Sequence, residues 1–296
     1  MSRLALYGRT YLDAEVELPL ELLATGKGKL DVEVRAVLGG FPCNAARALA
    51  GRLRPEDVTV VTRISHLDLP RLRAGLAPGT QIEAITTESI DWPPITVIIN
   101  PARECRLLRS GRPGDLQASD LRAIPQANLH AFGRVDRDLI DAVRRAAPDA
   151  LLAWCAGVPA EGADPAVVDR CDLVCVNTAE ARALLDNATG TTRDLAILLA
   201  DRAKPRSVRV VTGRGDAVTV AALHGDDGVR CFECAPPPIS REQILRLKGV
   251  GDVFAATFVV EAALDNGGER RAELAIERAL TAAQAAAATF MTAAAS

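Results

Sequence analysis

Short apolar runs alternate with helix-like runs over most of this chain of 296 residues. The apolar runs have the length of buried strands and lie at residues 4–7, 58–62, 129–132, 151–154, 173–176 and 208–212. The helix-like runs lie at residues 43–52, 136–146, 165–169, 179–185 and 192–203. This alternation predicts an α/β fold, with a mostly parallel, doubly wound sheet covered by helices on both faces. Sheets of this kind bind ligands beyond the carboxyl ends of their strands.

A second strand pattern interrupts this alternation. Residues 13–18 and 31–37 alternate polar and apolar side chains, which is typical of half-exposed strands. Residues 95–100 and 104–108 have the pattern of a hairpin, with its turn near residue 101. From the pattern alone, these strands are an antiparallel extension of the main sheet.

Composition favours one large domain. With 49% hydrophobic residues the chain can bury a large core, so residues 1–296 are predicted to form a single domain. The net charge is −3 without a long block of like charge, which argues against nucleic acid or a membrane surface as a partner. Residues 4–7 are typical of a first strand rather than a signal peptide, and no apolar run is long enough to span a bilayer. We therefore expect a cytoplasmic protein.

The cysteines allow a metal-site hypothesis. Cys231 and Cys234 form a Cys-x-x-Cys pair, which could make a four-thiolate zinc site with Cys171 and Cys175. The simpler interpretation of residues 229–234 is a strand. The three histidines are far apart and have no partner pattern.

The segment Gly249-Val250-Gly251-Asp252 precedes an apolar helical run. A glycine-rich turn at a helix start forms an anion site, because exposed backbone N–H groups and the positive end of the helix dipole point to one place. An aspartate is a poor choice beside a bound phosphate, because like charges repel. It is suited to removing a proton from a hydroxyl that then attacks a phosphoryl group. The alternative is that Asp252 only caps the helix.

Two other segments complete a pattern. Gly39 and Gly40 follow a strand-like stretch, and Asn44 opens a helix of small residues. A buried strand ends in Asn177, with Glu180 three residues on. In order and spacing, the three segments resemble the ribokinase-like (PfkB-type) sugar and nucleoside kinases, which carry Gly-Gly-x-x-x-Asn-x-Ala early, Asn-x-x-Glu in the middle and Gly-Ala-Gly-Asp late. The resemblance covers nearly the whole chain and implies a divergent, ATP-dependent kinase with a ribokinase-like fold.

The resemblance implies roles around the phosphoryl acceptor. The aspartate of the glycine turn becomes the general base, and the backbone N–H groups before it hold the charge of the transferred phosphate: Gly249, Val250, Gly251 and Asp252. The residues that bind a hydroxyl of a small sugar or polyol are Asp13, Gly39, Gly40 and Asn44. From its spacing alone, Asp13 is equally a solvated charge on a half-exposed strand.

The resemblance also implies ATP and Mg²⁺ as cofactors. The residues assigned to the nucleotide are Asn177, Glu180, Thr212, Gly213, Gly215, Lys248 and Gln284. Glu180 approaches the magnesium ion, which often binds a carboxylate through water. Asn177 and Glu180 are equally a capping box, and Gln284 is equally a polar position on an Ala-rich helix. The compressed segment 208–215 leaves open whether Gly213 or Gly215 stands beside ATP.

The same resemblance implies a small β lid over the acceptor site, with strands from about 11–38 and 81–109. In relatives such a lid often serves as a dimer surface, which makes a homodimer possible here. The acceptor itself stays open between a sugar or polyol and a nucleoside, whose base Phe41 or Trp92 could stack against. A further alternative is a non-catalytic relative that binds a sugar or a nucleotide.

One departure from the family pattern precedes the glycine turn. Relatives usually have Asp-Thr-Thr where this chain has Arg246-Leu247-Lys248. In many relatives that aspartate helps to hold a potassium ion, which a guanidinium group cannot ligate. We therefore expect activity without potassium, with Lys248 as a phosphate contact. The alternative is that both cationic side chains point to solvent.

Overall fold

The computed structural model describes residues 4–16, 33–87, 95–99, 106–110, 115–155, 165–213, 218–263 and 268–293. The strands in these ranges are β1 Leu4–Arg9, β2 Tyr11–Val16, β3 Val34–Gly39, β4 Val58–Ser65, β5 Gln81–Thr87, β6 Ile95–Ile99, β7 Arg106–Ser110, β8 Leu129–Phe132, β9 Leu151–Trp154, β10 Leu173–Asn177, β11 Val208–Thr212, β12 Thr219–Gly225 and β13 Gly228–Cys234. The helices are α1 Phe41–Ala48, α2 Leu69–Ala74, α3 Arg137–Ala146, α4 Pro165–Arg170, α5 Thr178–Leu184, α6 Thr192–Asp201, α7 Val250–Ala263 and α8 Gly268–Thr292.

The main sheet has nine strands in the order β13-β12-β11-β10-β9-β8-β1-β4-β5. The pairs from β11 to β5 are parallel, and β12 and β13 extend the sheet as antiparallel strands. Alternate residues of β1 enter different core clusters: Leu4 and Leu6 belong to one, and Ala5 and Tyr7 to the other. Because successive side chains of a strand point to opposite faces, both faces of this sheet are covered. The predicted doubly wound α/β fold is confirmed.

The remaining described strands form a small sheet with the order β3-β2-β6-β7. β2 pairs antiparallel with β3 and parallel with β6, and β6 pairs antiparallel with β7. The expectation that these strands extend the main sheet was therefore wrong. Residues 81–87, predicted at the start of the second lid stretch, instead form β5 and pair parallel with β4 in the main sheet. β4, α2 and β5 are consecutive, and a crossover helix of this kind returns the chain to a parallel neighbour of the first strand.

The predicted strands and helices of the main sheet agree with the observed ones to within a few residues, apart from the missed elements α2, β5 and β12. α1 ends at Ala48, four residues before its predicted end, because the chain turns at Leu49 and forms a bridge between Ala50 and Leu53. Cys231 and Cys234 lie in β13, which confirms the strand interpretation. Within the described ranges, no group of three or more His, Cys, Asp or Glu side chains could hold a metal ion. None of the helices described combines the length and the hydrophobicity that crossing a bilayer requires.

Candidate active site

Two glycines connect the small sheet to α1. β3 ends at Gly39, where an added Cβ would lie 1.9 Å from Oδ2 of Asp13. Gly40 has a φ of +98°, and its Cβ would lie 2.1 Å from the carbonyl oxygen of Arg9. Only glycine accepts this combination of backbone conformation and close approach. The pair therefore lets the buried carboxylate of Asp13, which is 5% exposed, lie directly over the start of α1.

The glycine turn, residues 249–252, contacts α1 through one side chain. Nδ2 of Asn44 donates a hydrogen bond of 2.7 Å to Oδ2 of Asp252. Gly249 has a φ of +88°, and a Cβ there would lie 3.1 Å from the same Nδ2. α7 begins at Val250, so Asp252 lies inside the first turn of the helix rather than before it. Its side chain is directed to Asn44, a contact that a simple N-cap would not make.

The charge of Asp252 is set by its surroundings. The pKa of this carboxyl is raised to about 6, mainly by burial and to a smaller extent by the carboxylates of Glu180 and Asp13. The hydrogen bond from Asn44 and the positive charge of Lys248 act in the opposite direction. These influences come from β2, α1, α5 and the residue before the glycine turn, so residues far apart in sequence meet at this carboxyl group. Its pKa is close to the pH at which a general base is most effective.

The backbone of the glycine turn has room for a ligand. The first N–H groups of a helix have no acceptor within the helix. The N–H group of Val250 reaches back to the carbonyl oxygen of Leu247 over 3.4 Å, which is a long hydrogen bond. Gly251 is exposed, and a Cβ added to it would meet no atom within 4 Å. The turn therefore presents its N–H groups beside open space at Gly251.

Lys248 does not point to solvent. Its ammonium group forms an ion pair with Oδ1 of Asp13 and lies 5.0 Å from the centroid of the Tyr11 ring. The Lys248 and Asp13 side chains are only 16% and 7% exposed. Arg246 is half-buried, with Cζ 4.1 Å from the centroid of the Phe290 ring, and burial lowers the pKa of its guanidinium group. The alternative that both cations are solvated was therefore wrong.

Asn177 and Glu180 form the capping box of α5. The Asn177 side chain accepts hydrogen bonds from the N–H groups of Ala179 and Glu180, at 2.9 and 3.0 Å. One carboxylate oxygen of Glu180 accepts a hydrogen bond of 2.9 Å from the N–H group of Asn177. Thr212 lies directly opposite Asn177 in the parallel pairing of β10 and β11. These residues share one edge of the sheet, where both strands end.

Three further residues were assigned to the nucleotide: Gly213, Gly215 and Gln284. Gly213 follows β11, and Gly215 lies outside the described residues. Gln284 donates a hydrogen bond of 2.7 Å to Oγ1 of Thr219, and both side chains are buried. Gln284 is thus a polar contact between α8 and β12, as the interpretation of a polar position on an Ala-rich helix expects.

Two residues that contact the site, Tyr11 and Phe290, were not predicted from the sequence. Only Tyr11 could have been found from a sequence pattern. Tyr11 stands two residues before Asp13 on a strand of alternating pattern, so both side chains lie on one face. The contact of Phe290 with Arg246 joins the end of α8 to the segment before the glycine turn. No local pattern in the sequence reveals such a contact.

Comparison with known proteins finds similar structures but no similar sequence family. No protein-family model matches the chain, and no curated protein matches its sequence. The adenosine kinase of Trypanosoma brucei brucei, in its apo form, aligns over 99% of both chains with a TM-score of 0.77 and 18% identity. The ribokinase of Giardia lamblia aligns with 100% of this chain and 96% of its own, with a TM-score of 0.78 and 16% identity.

A third structure extends the comparison to a complex. The ribokinase of Arabidopsis thaliana, complexed with ribose and ATP, aligns with 100% of this chain and 94% of its own, with a TM-score of 0.74 and 17% identity. Sequence identities this low establish architecture only, and the architecture agrees along the whole chain. The protein therefore has the ribokinase-like fold, in a divergent sequence.

Proposed function

We propose that this protein is an ATP-dependent kinase that transfers a phosphoryl group to a hydroxyl of a small sugar or polyol. The observation that carries the proposal is the carboxyl group of Asp252, which has a pKa of about 6 and is held by Asn44 at the start of α7. A base of this kind beside open N–H groups suits phosphoryl transfer, where a protein mainly positions reactants and neutralises charge. The ribokinase and adenosine kinase structures with the same fold support this class of reaction.

In the proposed mechanism, the ionised Asp252 accepts the proton of the acceptor hydroxyl as the hydroxyl oxygen attacks the γ-phosphorus of ATP, whose bond to the bridging oxygen breaks so that ADP leaves. Asn44 fixes one carboxylate oxygen, so the other is directed to the substrate. The backbone N–H groups of the glycine turn, foremost that of Gly251, donate to the oxygens of the transferred phosphate. These groups stay fixed during the reaction, because Gly249 and the first turn of α7 hold the backbone.

The acceptor site lies between the small sheet and α1. Asp13 receives hydroxyl groups of the acceptor, and Gly39 and Gly40 form the backbone beside it, where the Asp13 carboxylate and the carbonyl oxygen of Arg9 take the space of a Cβ. Asn44 borders both the acceptor and the base. We propose that the small sheet is the lid of this site in a single domain of residues 1–296, and that a homodimer forms through it.

ATP would bind along the edge where β10 and β11 end. Thr212 and Gly213 border the nucleotide, and Asn177 and Glu180 approach its phosphates. One oxygen of Glu180 is already used in the capping box. A single carboxylate of this kind fits a magnesium ion held mostly by phosphate oxygens and water, which neutralises phosphate charge when it is bound.

A nucleoside is the second candidate acceptor, supported by the similarity to adenosine kinases. Phe41 was predicted to stack against a base, but its ring is 7% exposed and packs at Gly133 in the core. Trp92, the other predicted stacking residue, lies outside the described residues. The buried position of Phe41 therefore favours a sugar or polyol. A non-catalytic role would not require a buried carboxyl with a raised pKa.

The direct test is a panel assay with ATP and magnesium. Aldoses, ketoses, polyols and nucleosides are offered one at a time, and ADP release is measured against a blank without acceptor. ADP release with a sugar or polyol supports the proposal. Release with nucleosides alone would transfer the assignment to the second candidate, and binding without release would favour a non-catalytic protein.

The pH dependence should follow the ionisation of Asp252. A base must be unprotonated, and burial raises the pKa of this carboxyl to about 6. We expect kcat/KM for the acceptor, at saturating magnesium and ATP, to fall about tenfold for each pH unit below 6 and to level off above pH 7. Measurement between pH 5 and 9 tests this. A profile that is flat down to pH 5 would contradict the assignment of the base.

Activity should not depend on potassium. Arg246 stands where the family pattern has an aspartate, and its guanidinium group is half-buried over Phe290. A fixed positive charge there would repel a monovalent cation. Rates in buffers containing only choline, sodium or potassium chloride, at equal ionic strength, should agree within about twofold. A several-fold activation specific to potassium would show that a cation site exists despite Arg246.

A further inference from the structure

We propose that Lys248 is a positioning residue that joins the acceptor site to the glycine turn. Its ammonium group, held between the carboxylate of Asp13 and the ring of Tyr11, fixes β2 of the small sheet against the segment that carries Asp252. Its role in the acceptor site rests on the proposed function, whereas the attachment of the small sheet does not.

The contact joins distant parts of the chain. Lys248 directly precedes Gly249, and Asp13 lies 235 positions earlier, on β2 of the small sheet. A second opposite-charge influence lies two residues away on both segments. Among the charged groups that act on Arg246, the carboxylate of Glu15 has the largest influence. Lys248 thus contacts a carboxylate of β2, and Arg246 is influenced by a second carboxylate of the same strand.

The ion pair gives the carboxylate of Asp13 one orientation. Oδ1 receives the ammonium group, and Oδ2 lies over Gly39, where no Cβ is present. Both side chains are largely removed from water, so the loss of either partner would leave an uncompensated buried charge. Removal of the pair therefore affects both the direction of Asp13 and the contact between the small sheet and the glycine turn.

The test is hydrogen exchange of the β2 amides, residues 11–16, without any substrate. In Lys248→Met these amides should exchange roughly tenfold faster or more than in the wild type, because breaking a buried pair makes local opening easier. Lys204→Met is the control, since it breaks another Lys–Asp pair, with Asp172 directly before β10 and away from the small sheet. Unchanged exchange of β2 in Lys248→Met, or an equal increase in Lys204→Met, would overturn the proposal.

A double-mutant cycle tests whether the effect of Lys248→Met on exchange depends on Asp13. Asp13→Asn should accelerate exchange of β2 as Lys248→Met does, and the double variant should be no faster than either single variant. An undiminished effect of Lys248→Met in the Asp13→Asn background would overturn the proposal. The double variant removes both charges, so it is expected to fold even where Lys248→Met does not. Slow, wild-type exchange of β2 in that double variant would also refute the inference.

Kinetics test the acceptor part separately. Lys248→Met should raise KM for the acceptor at least fivefold while kcat changes less, and Lys248→Arg should recover most of the loss. A merely structural role would not produce this split or this rescue. If no acceptor is phosphorylated, the proposed function fails. The exchange experiment still decides whether Lys248 fixes the small sheet against the glycine turn. If acceptors are phosphorylated and KM is unchanged in Lys248→Met, the acceptor role fails.

Discussion

Replacement of Asp252 by asparagine should lower kcat roughly 100-fold or more at pH 8, with little change in ATP affinity. Asparagine has the same shape and can still accept the hydrogen bond from Nδ2 of Asn44, so the glycine turn keeps its geometry. What is lost is the ability to take a proton from the acceptor hydroxyl. Initial rates of ADP release at saturating acceptor, together with calorimetric titration of ATP, separate the two effects.

Asp194→Asn is the matched control for this variant. Asp194 also lies in the first turn of a helix, where it accepts hydrogen bonds from the N–H and hydroxyl groups of Thr191 in the capping box of α6. It should retain wild-type turnover, because a capping residue holds only its own helix. Equal turnover in Asp252→Asn and the wild type would remove Asp252 from the mechanism.

Most strands of the main sheet could be predicted, because the residue pattern that specifies each strand lies within its own segment of the sequence. A strand with both faces covered is mostly apolar, as in β8, where every residue is buried and only His130 is polar. Two of the missed elements, β5 and α2, lack such a pattern. β5 is an edge strand with exposed residues, and α2 is a single short helix of six residues with a proline at its second position. Edge strands and short helices are defined by their neighbours, which a sequence pattern does not contain.

The components of the site were predictable, whereas their contacts were not. Glycines such as Gly40 and Gly249, which have a positive φ, can be recognised in the sequence because few other residues adopt that backbone conformation. The pair between Lys248 and Asp13 depends on how the small sheet meets α7. From the 246–248 segment alone, a phosphate contact or a solvated lysine was equally compatible with Lys248. Separation along the chain hides such pairs, because nothing local distinguishes a buried lysine from an exposed one.

The stability of Asp252→Asn should change in the opposite direction to its activity. The pKa of this carboxyl is raised from 3.8 to about 6 in the folded protein. The folded state therefore holds the proton more tightly than the unfolded state, and stability falls as the pH rises from about 4 to about 6. Above that range the ionised carboxylate lowers the free energy of unfolding by about 3 kcal/mol, since each pKa unit corresponds to about 1.4 kcal/mol.

Asparagine carries no charge, so the substitution removes this penalty. We expect Asp252→Asn to raise the free energy of unfolding by about 2 kcal/mol or more at pH 8, and by about 1 kcal/mol or less at pH 4.5, where the wild-type carboxyl is largely protonated. Denaturant unfolding at both pH values measures the difference.

Asp194→Asn again serves as the control, because hydrogen bonds from Thr191 lower the pKa of Asp194 and its ionised form favours folding. A loss of stability in Asp252→Asn at pH 8 would mean that the buried carboxylate is compensated by its neighbours, and would remove the physical reason for assigning it as the base.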